Sequence, residues 1–126
     1  GVDVVWLSNH GGRSLECDLS AVEILTEVRE SVGPSLPLVV DGGIRTGSDI
    51  VKALSLGANM VAIGRPMIYG LIADGASGVQ KTTQLFKEEI KSVMTMCGIS
   101  TINDISRAHT YFSYQKSGGT SRSDYM

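Results

Sequence analysis

A chain of 126 residues has the length of one compact domain, and its 42% hydrophobic residues can bury a core, which excludes bulk disorder. Eleven Lys and Arg against 13 Asp and Glu leave a net charge of −2, so no nucleic-acid partner and no anionic membrane surface is expected. Charges or glycines interrupt every apolar run before the roughly 18 residues of a membrane span, and the two distant cysteines, Cys17 and Cys97, suit a reducing compartment and offer neither a disulfide framework nor a zinc site.

Residues 2–8 form a nearly continuous apolar run ending in Ser8-Asn9-His10-Gly11-Gly12-Arg13, the pattern of a parallel strand buried on both faces. Residues 20–32 place Val22, Leu25, Val28 and Val32 at helical spacing, and Ser20 with Glu23 three residues on reads as a capping box. Gly33-Pro34 stops that helix, and residues 36–40 give a second strand ending at Asp41-Gly42-Gly43. A second helix is predicted over 48–56, with Ile50, Ala53 and Leu54 inward, Ser48 as N-cap and Gly57 as C-cap. A third strand over 59–63 closes on Gly64-Arg65-Pro66. A short apolar segment, 67–73, precedes a long helix over 79–97, in which Met94, Met96 and Cys97 are expected to pack. One more short helix is expected from Thr101 or Asn103. Residues 109–126 hold too little apolar content to offset ordering entropy and read as a disordered tail, with His109 given no role.

Strands alternating with helices define a parallel α/β architecture with right-handed crossovers. Three strands cannot close a barrel, so the expected layout is the final three βα units of a (β/α)8 barrel, incomplete in this chain and occupying residues 1–108. The chain begins with Gly1 inside a strand, which reads as a piece of something longer. Of its 126 residues 15 are glycine, and Gly11, Gly12, Gly42, Gly43 and Gly64 directly follow the strand-like runs, where backbone turns sharply or approaches a ligand.

The strand ends carry the chemistry. Imidazole exchanges a proton near neutral pH, and a guanidinium holds a carboxylate through two parallel hydrogen bonds, so His10 and Arg13 read as a base beside an anchor for an acid substrate. The alternative is a polar strand cap and a solvated cation. Asp41-Gly42-Gly43-Ile44-Arg45 offers bare backbone amides and a guanidinium for an anion, with Asp41 suited to sugar-like hydroxyls, or else forms only a tight turn. Gly64 and Arg65 repeat the grip, and two grips on adjacent strand ends point to a phosphorylated ligand, unless Arg65 pairs with a helix carboxylate. No Cys, His and carboxylate spacing suggests a metal. Trp6, Tyr111, Tyr114 and Tyr125 form no stacking platform and receive no assignment.

The strings Ser8-Asn9-His10-Gly11-Gly12-Arg13, Asp41 through Leu54, and Gly64-Arg65-Pro66 resemble the FMN-dependent α-hydroxy-acid oxidase/dehydrogenase family, and the likeness runs to about Ile105. The resemblance implies a (β/α)8 barrel with FMN at the strand C-terminal ends, strands six to eight lying in this chain. His10 would accept the proton of the substrate hydroxyl, or the α-proton in a carbanion route. Arg13 would bind the substrate carboxylate, Ser8 would contact the flavin, and Asp41, Gly42, Gly43, Ile44, Arg45, Gly64 and Arg65 would hold ribityl and phosphate. An (S)-2-hydroxy acid of the glycolate or L-lactate class would become a 2-oxo acid, with oxygen or another acceptor taking the electrons. The whole protein would be a soluble homo-oligomer of the cytoplasm or peroxisome, although Asp124-Tyr125-Met126 is no Ser-Lys-Leu-type signal.

After Arg13 the family usually has Gln-Leu-Asp and this chain has Ser14-Leu15-Glu16. The family's earlier strands supply a lysine near the flavin, an aspartate partnering the histidine, and tyrosines that have no counterpart here, so this chain alone is expected not to turn over. Two other readings compete. One is another FMN barrel, such as type 2 isopentenyl-diphosphate isomerase or an IMP-dehydrogenase-like protein; the other is a non-catalytic half-barrel that binds FMN or another phosphate compound.

Overall fold

The structure, a computed structural model, describes residues 1–14 and 19–109. Three short strands, β1 (Val5–Leu7), β2 (Leu38–Val40) and β3 (Met60–Val61), form one parallel sheet in the order β1-β2-β3. Val5 pairs with Leu38 and Val39 with Met60, so each strand is one step further along the same sheet. Helix α1 (Ala21–Val32) connects β1 to β2, α2 (Gly47–Ser55) connects β2 to β3, and α3 (Arg65–Met96) follows β3. The expected succession of strand, loop and helix is present, in an open α/β layer.

Helix α1 starts where Ser20 and Glu23 place it: the Ser20 N–H donates to the Glu23 carboxylate. That backbone bond, followed by the Ser20 side chain, holds the Glu23 carboxyl below its ordinary value. The helix is fastened at its other end by Arg29. Its guanidinium donates to the carbonyls of Gly33, Leu36 and Gly57 and to Asn59 Oδ1, so one side chain ties the end of α1 to the loops that enter β2 and β3. Central strand β2 is buried throughout. Leu7, Ala21, Leu25, Leu38, Val40, Ala53, Leu56 and Ala58 form the core between sheet and helices, and Val51, Met94 and Ile99 form a second cluster between α2 and α3.

Several expectations are corrected. The first strand is covered on one face only: Leu7 is buried, whereas Val4 and Trp6 are exposed at 43% and 60%. The N-cap of α2 is Thr46, one turn residue before Gly47, because Asp49 three residues on completes a capping box there. Val51, Ala53 and Ser55 are the buried residues of α2, with Ile50 and Leu54 half-buried. The apolar segment after Pro66 is itself helical, so α3 begins at Arg65 and breaks at Asp74 and Gly75. Past that break it doubles back tightly enough that a Cβ at Gly78 would strike the Gly70 carbonyl. Met94 packs, but Met96, turned roughly 200° about the axis, is exposed, as is Cys97 at the C-cap. The short helix after Thr101 is a single 3-10 turn, Ile102–Asp104, and another, Arg107–His109, closes the described chain. Cys17, and residues 110–126 of the expected tail, lie outside the described residues. Among the described residues no helix is long and apolar enough to cross a membrane.

Candidate active site

The loops at the C-terminal ends of the three strands meet around an open cavity of about 900 Å³. Of the residues singled out from the sequence, it is lined by His10 and Arg13 after β1, Asp41, Gly42, Gly43, Ile44 and Arg45 after β2, and Gly64 and Arg65 after β3. Ser8 does not line it; the Ser8 hydroxyl instead accepts the His10 N–H at 3.0 Å.

The β1 loop is a wound turn. Asn9 Oδ1 accepts the Gly12 N–H at 3.1 Å, and the Arg13 N–H donates to the His10 carbonyl. His10 stands at φ +57°, the one non-glycine residue with positive φ among the described residues. Its Nδ1 lies 2.8 Å from Ser14 Oγ. The loop also packs closely against its neighbours: a Cβ at Gly42, whose φ is +89°, would come within 3.1 Å of Asn9 Oδ1. Side chains longer than hydrogen are excluded there by contact and conformation together.

The β2 loop shows how its amides divide. Asp49 accepts from Arg45 N–H at 3.0 Å, from Thr46 N–H at 2.9 Å and from the Thr46 hydroxyl, while Glu89 on α3 accepts from Gly47 N–H at 2.6 Å. Burial pushes the Asp49 carboxyl up, but the Arg45 and Thr46 hydrogen bonds together with nearby Lys52 outweigh it and leave the group below its ordinary 3.8. The Arg45, Thr46 and Gly47 amides that lead into α2 are therefore already taken by carboxylates. An anion in the cavity meets the upstream backbone of Gly42, Gly43 and Ile44, and the guanidinium of Arg45.

At the third strand end, Arg65 reaches back to the Gly11 carbonyl at 3.4 Å, a long contact, and has no carboxylate partner among the described residues. The cavity lining carries three guanidiniums and one carboxylate, Asp41. Asp41 Oδ2 accepts from Trp6 Nε1 at 2.9 Å, and its Oδ1 is buried with no hydrogen-bond partner among the described residues. A buried acceptor left unpaired is costly, so Oδ1 suits a ligand hydroxyl. Trp6 was given no role from the sequence, since its partner lies 35 residues away. Ile68 and Tyr69 also line the cavity, and their positions three and four residues after Arg65 on a helix were a usable signal.

The chain matches the family of FMN-dependent dehydrogenases over residues 1–111. It belongs to that family, whose cofactor is FMN. It is 47% identical over 109 residues to the peroxisomal (S)-2-hydroxyacid oxidase GLO3 of Arabidopsis thaliana, covering 86% of this chain and 30% of that protein. To the L-lactate oxidase of Streptococcus iniae it is 43% identical over 105 residues, covering 83% of this chain and 26% of that protein. A soluble mutant of the membrane-associated (S)-mandelate dehydrogenase from Pseudomonas putida superposes with a TM-score of 0.82 at 43% identity, covering 86% of this chain and 31% of that one. The chain thus spans about 30% of the length of such relatives, and its structural neighbours are FMN-dependent (β/α)8-barrel enzymes.

Proposed function

We propose that this chain is the part of an FMN-dependent (S)-2-hydroxy-acid oxidase or dehydrogenase that carries the base, the carboxylate anchor and the phosphate grip, its three strands being the last three of the barrel. One observation carries the reading: a single cavity gathers His10 and Arg13 from one strand end with the glycine backbone and guanidiniums of the next two. FMN fits these residues. Gly42, Gly43, Ile44 and Gly64 would offer backbone N–H groups, Arg45 and Arg65 would supply the charge for a phosphate, and the unpaired Asp41 Oδ1 would accept from a ribityl hydroxyl.

Bound there, the flavin supplies a two-electron acceptor for the substrate. Arg13 holds the substrate carboxylate through paired hydrogen bonds, which fixes the 2-hydroxyl relative to His10. His10 would take the hydroxyl proton while the Cα hydrogen leaves with its electron pair to the two-electron acceptor, so the carbon would be left as a 2-oxo group and the imidazole as its cation. Oxygen or another acceptor takes the electrons afterwards. Ser8 serves His10 through its backbone. The same reading carries the expectation of a homo-oligomer in the cytoplasm or peroxisome.

The test is the flavin absorbance of the full-length protein before and after anaerobic addition of glycolate, L-lactate or (S)-mandelate, with His10→Gln alongside. Bleaching in the parent and not in the variant is expected. Bound flavin that stays oxidised with all three acids would favour a non-catalytic FMN-binding barrel, and a protein without FMN affinity would end the proposal.

A further inference from the structure

Trp6 lines the cavity and has no part in the phosphate grip or the His10 and Arg13 pair. Its place follows from the sheet. Leu7, Leu38 and Val40 turn into the core against the helices, so Trp6 and its register partner Val39 turn to the opposite face. The ladder continues one residue past β2, where the Asp41 N–H donates to the Leu7 carbonyl at 3.1 Å, and the alternation puts Asp41 on the face of Val39 and Trp6. There the indole Nε1 donates to Asp41 Oδ2 at 2.9 Å, while Oδ1 is left buried and unpaired among the described residues.

An ionised carboxylate accepts at both oxygens, and its last torsion is broad, so an aspartate at a strand end offers no fixed acceptor by itself. An indole N–H only donates. Bound to one oxygen, it stops the carboxylate from turning and leaves the other as the acceptor. We propose that Trp6 is a positioning residue for the cofactor: its N–H fixes the Asp41 carboxylate so that Oδ1 is the oxygen offered to a ribityl hydroxyl. A hydrocarbon ring at position 6 would let both oxygens compete for that hydroxyl and for water, and would leave Arg45 and Arg65 untouched. The proposal rests on the reading of the cavity as an FMN site.

The experiment uses the full-length protein, freed of flavin and labelled with 15N-tryptophan, with the Trp6 indole signal assigned by its loss in Trp6→Phe. That signal is expected at low field, as for an N–H on a carboxylate, and should move to high field in Asp41→Ala. FMN is then titrated by flavin fluorescence. A bond to a charged acceptor is a strong one, but with the indole 60% exposed water replaces part of it, so Trp6→Phe should bind FMN about tenfold more weakly. In an Asp41→Ala background the same change should cost less than about twofold, because the partner is already gone. Inorganic phosphate, which competes through Arg45 and Arg65 alone, should displace FMN from parent and Trp6→Phe with the same inhibition constant. An indole signal indifferent to Asp41→Ala, or an equal loss of FMN affinity in both backgrounds, overturns the proposal alone. A parent with no FMN affinity overturns the cofactor reading instead, and the indole signal then still tells whether Trp6 holds Asp41.

Discussion

Replacing Asp49 by Ala removes the acceptor for three donors at once: two backbone N–H groups, of Arg45 and Thr46, and the Thr46 hydroxyl, at 2.9–3.0 Å. Charge-assisted bonds contribute about 1.5–3 kcal/mol each when buried, but Asp49 is only half-buried and water replaces part of what is lost. The loss is closer to that of a helix N-cap at its upper end, about 2 kcal/mol. Local opening of the turn should then be more frequent by a factor on the order of 30. Amide exchange over residues 45–50 reads that factor, and FMN affinity should fall with it because Arg45 leaves the turn. The pH dependence has a defined sign. The folded Asp49 carboxyl lies below 3.8, so its contribution is complete above about pH 5 and is lost as the pH drops through the folded value. The difference between parent and variant should therefore shrink on acidification. Exchange that is equal in the two proteins at neutral pH, or a difference that grows toward acid, would refute the reasoning.

Gly47→Ala would bring a Cβ to 2.5 Å from the Ile90 nitrogen and 2.6 Å from Glu89 Cβ. Helices α2 and α3 must separate to admit it, so thermal unfolding should show a loss of about 3 kcal/mol; an unchanged midpoint would mean that the helices do not pack as described. Leu25 is fully buried, and Leu25→Ala should lower the unfolding free energy in urea by about 2–5 kcal/mol, with a value under 1 kcal/mol contradicting the core. Arg65→Gln should weaken FMN binding at least about tenfold in a fluorescence titration, and equal affinity would remove Arg65 from the grip.

How much of this was legible differs by residue. Ser20 and Glu23 announced α1 because a capping box is a local device, read over four positions. The Gly and Arg pairs at the strand ends were legible for a similar reason: each is a contiguous string, and parallel topology then brings the strings together. The choice of Thr46 over Ser48 was available in the spacing to Asp49, but two hydroxyls so close in sequence compete for the same role. What sequence could not show was contact across distance. Trp6 finds Asp41 only because β1 and β2 are neighbours, Glu89 finds Gly47 only because α3 folds against α2, and the Gly70–Gly78 contact exists only after the chain reverses at Asp74 and Gly75. The apolar run of β1 likewise reported what the strand is built to bury, while among the described residues Val4 and Trp6 are left largely exposed.

The backbone at His10 has an implication for how such a chain tolerates change. At φ +57° asparagine fits with less strain than histidine, so mutations that discard the imidazole are the ones the fold itself would accept most easily. Selection for stability alone would drift toward them. On the proposed function, the torsion angle at His10 is where backbone ease and proton transfer pull in opposite directions.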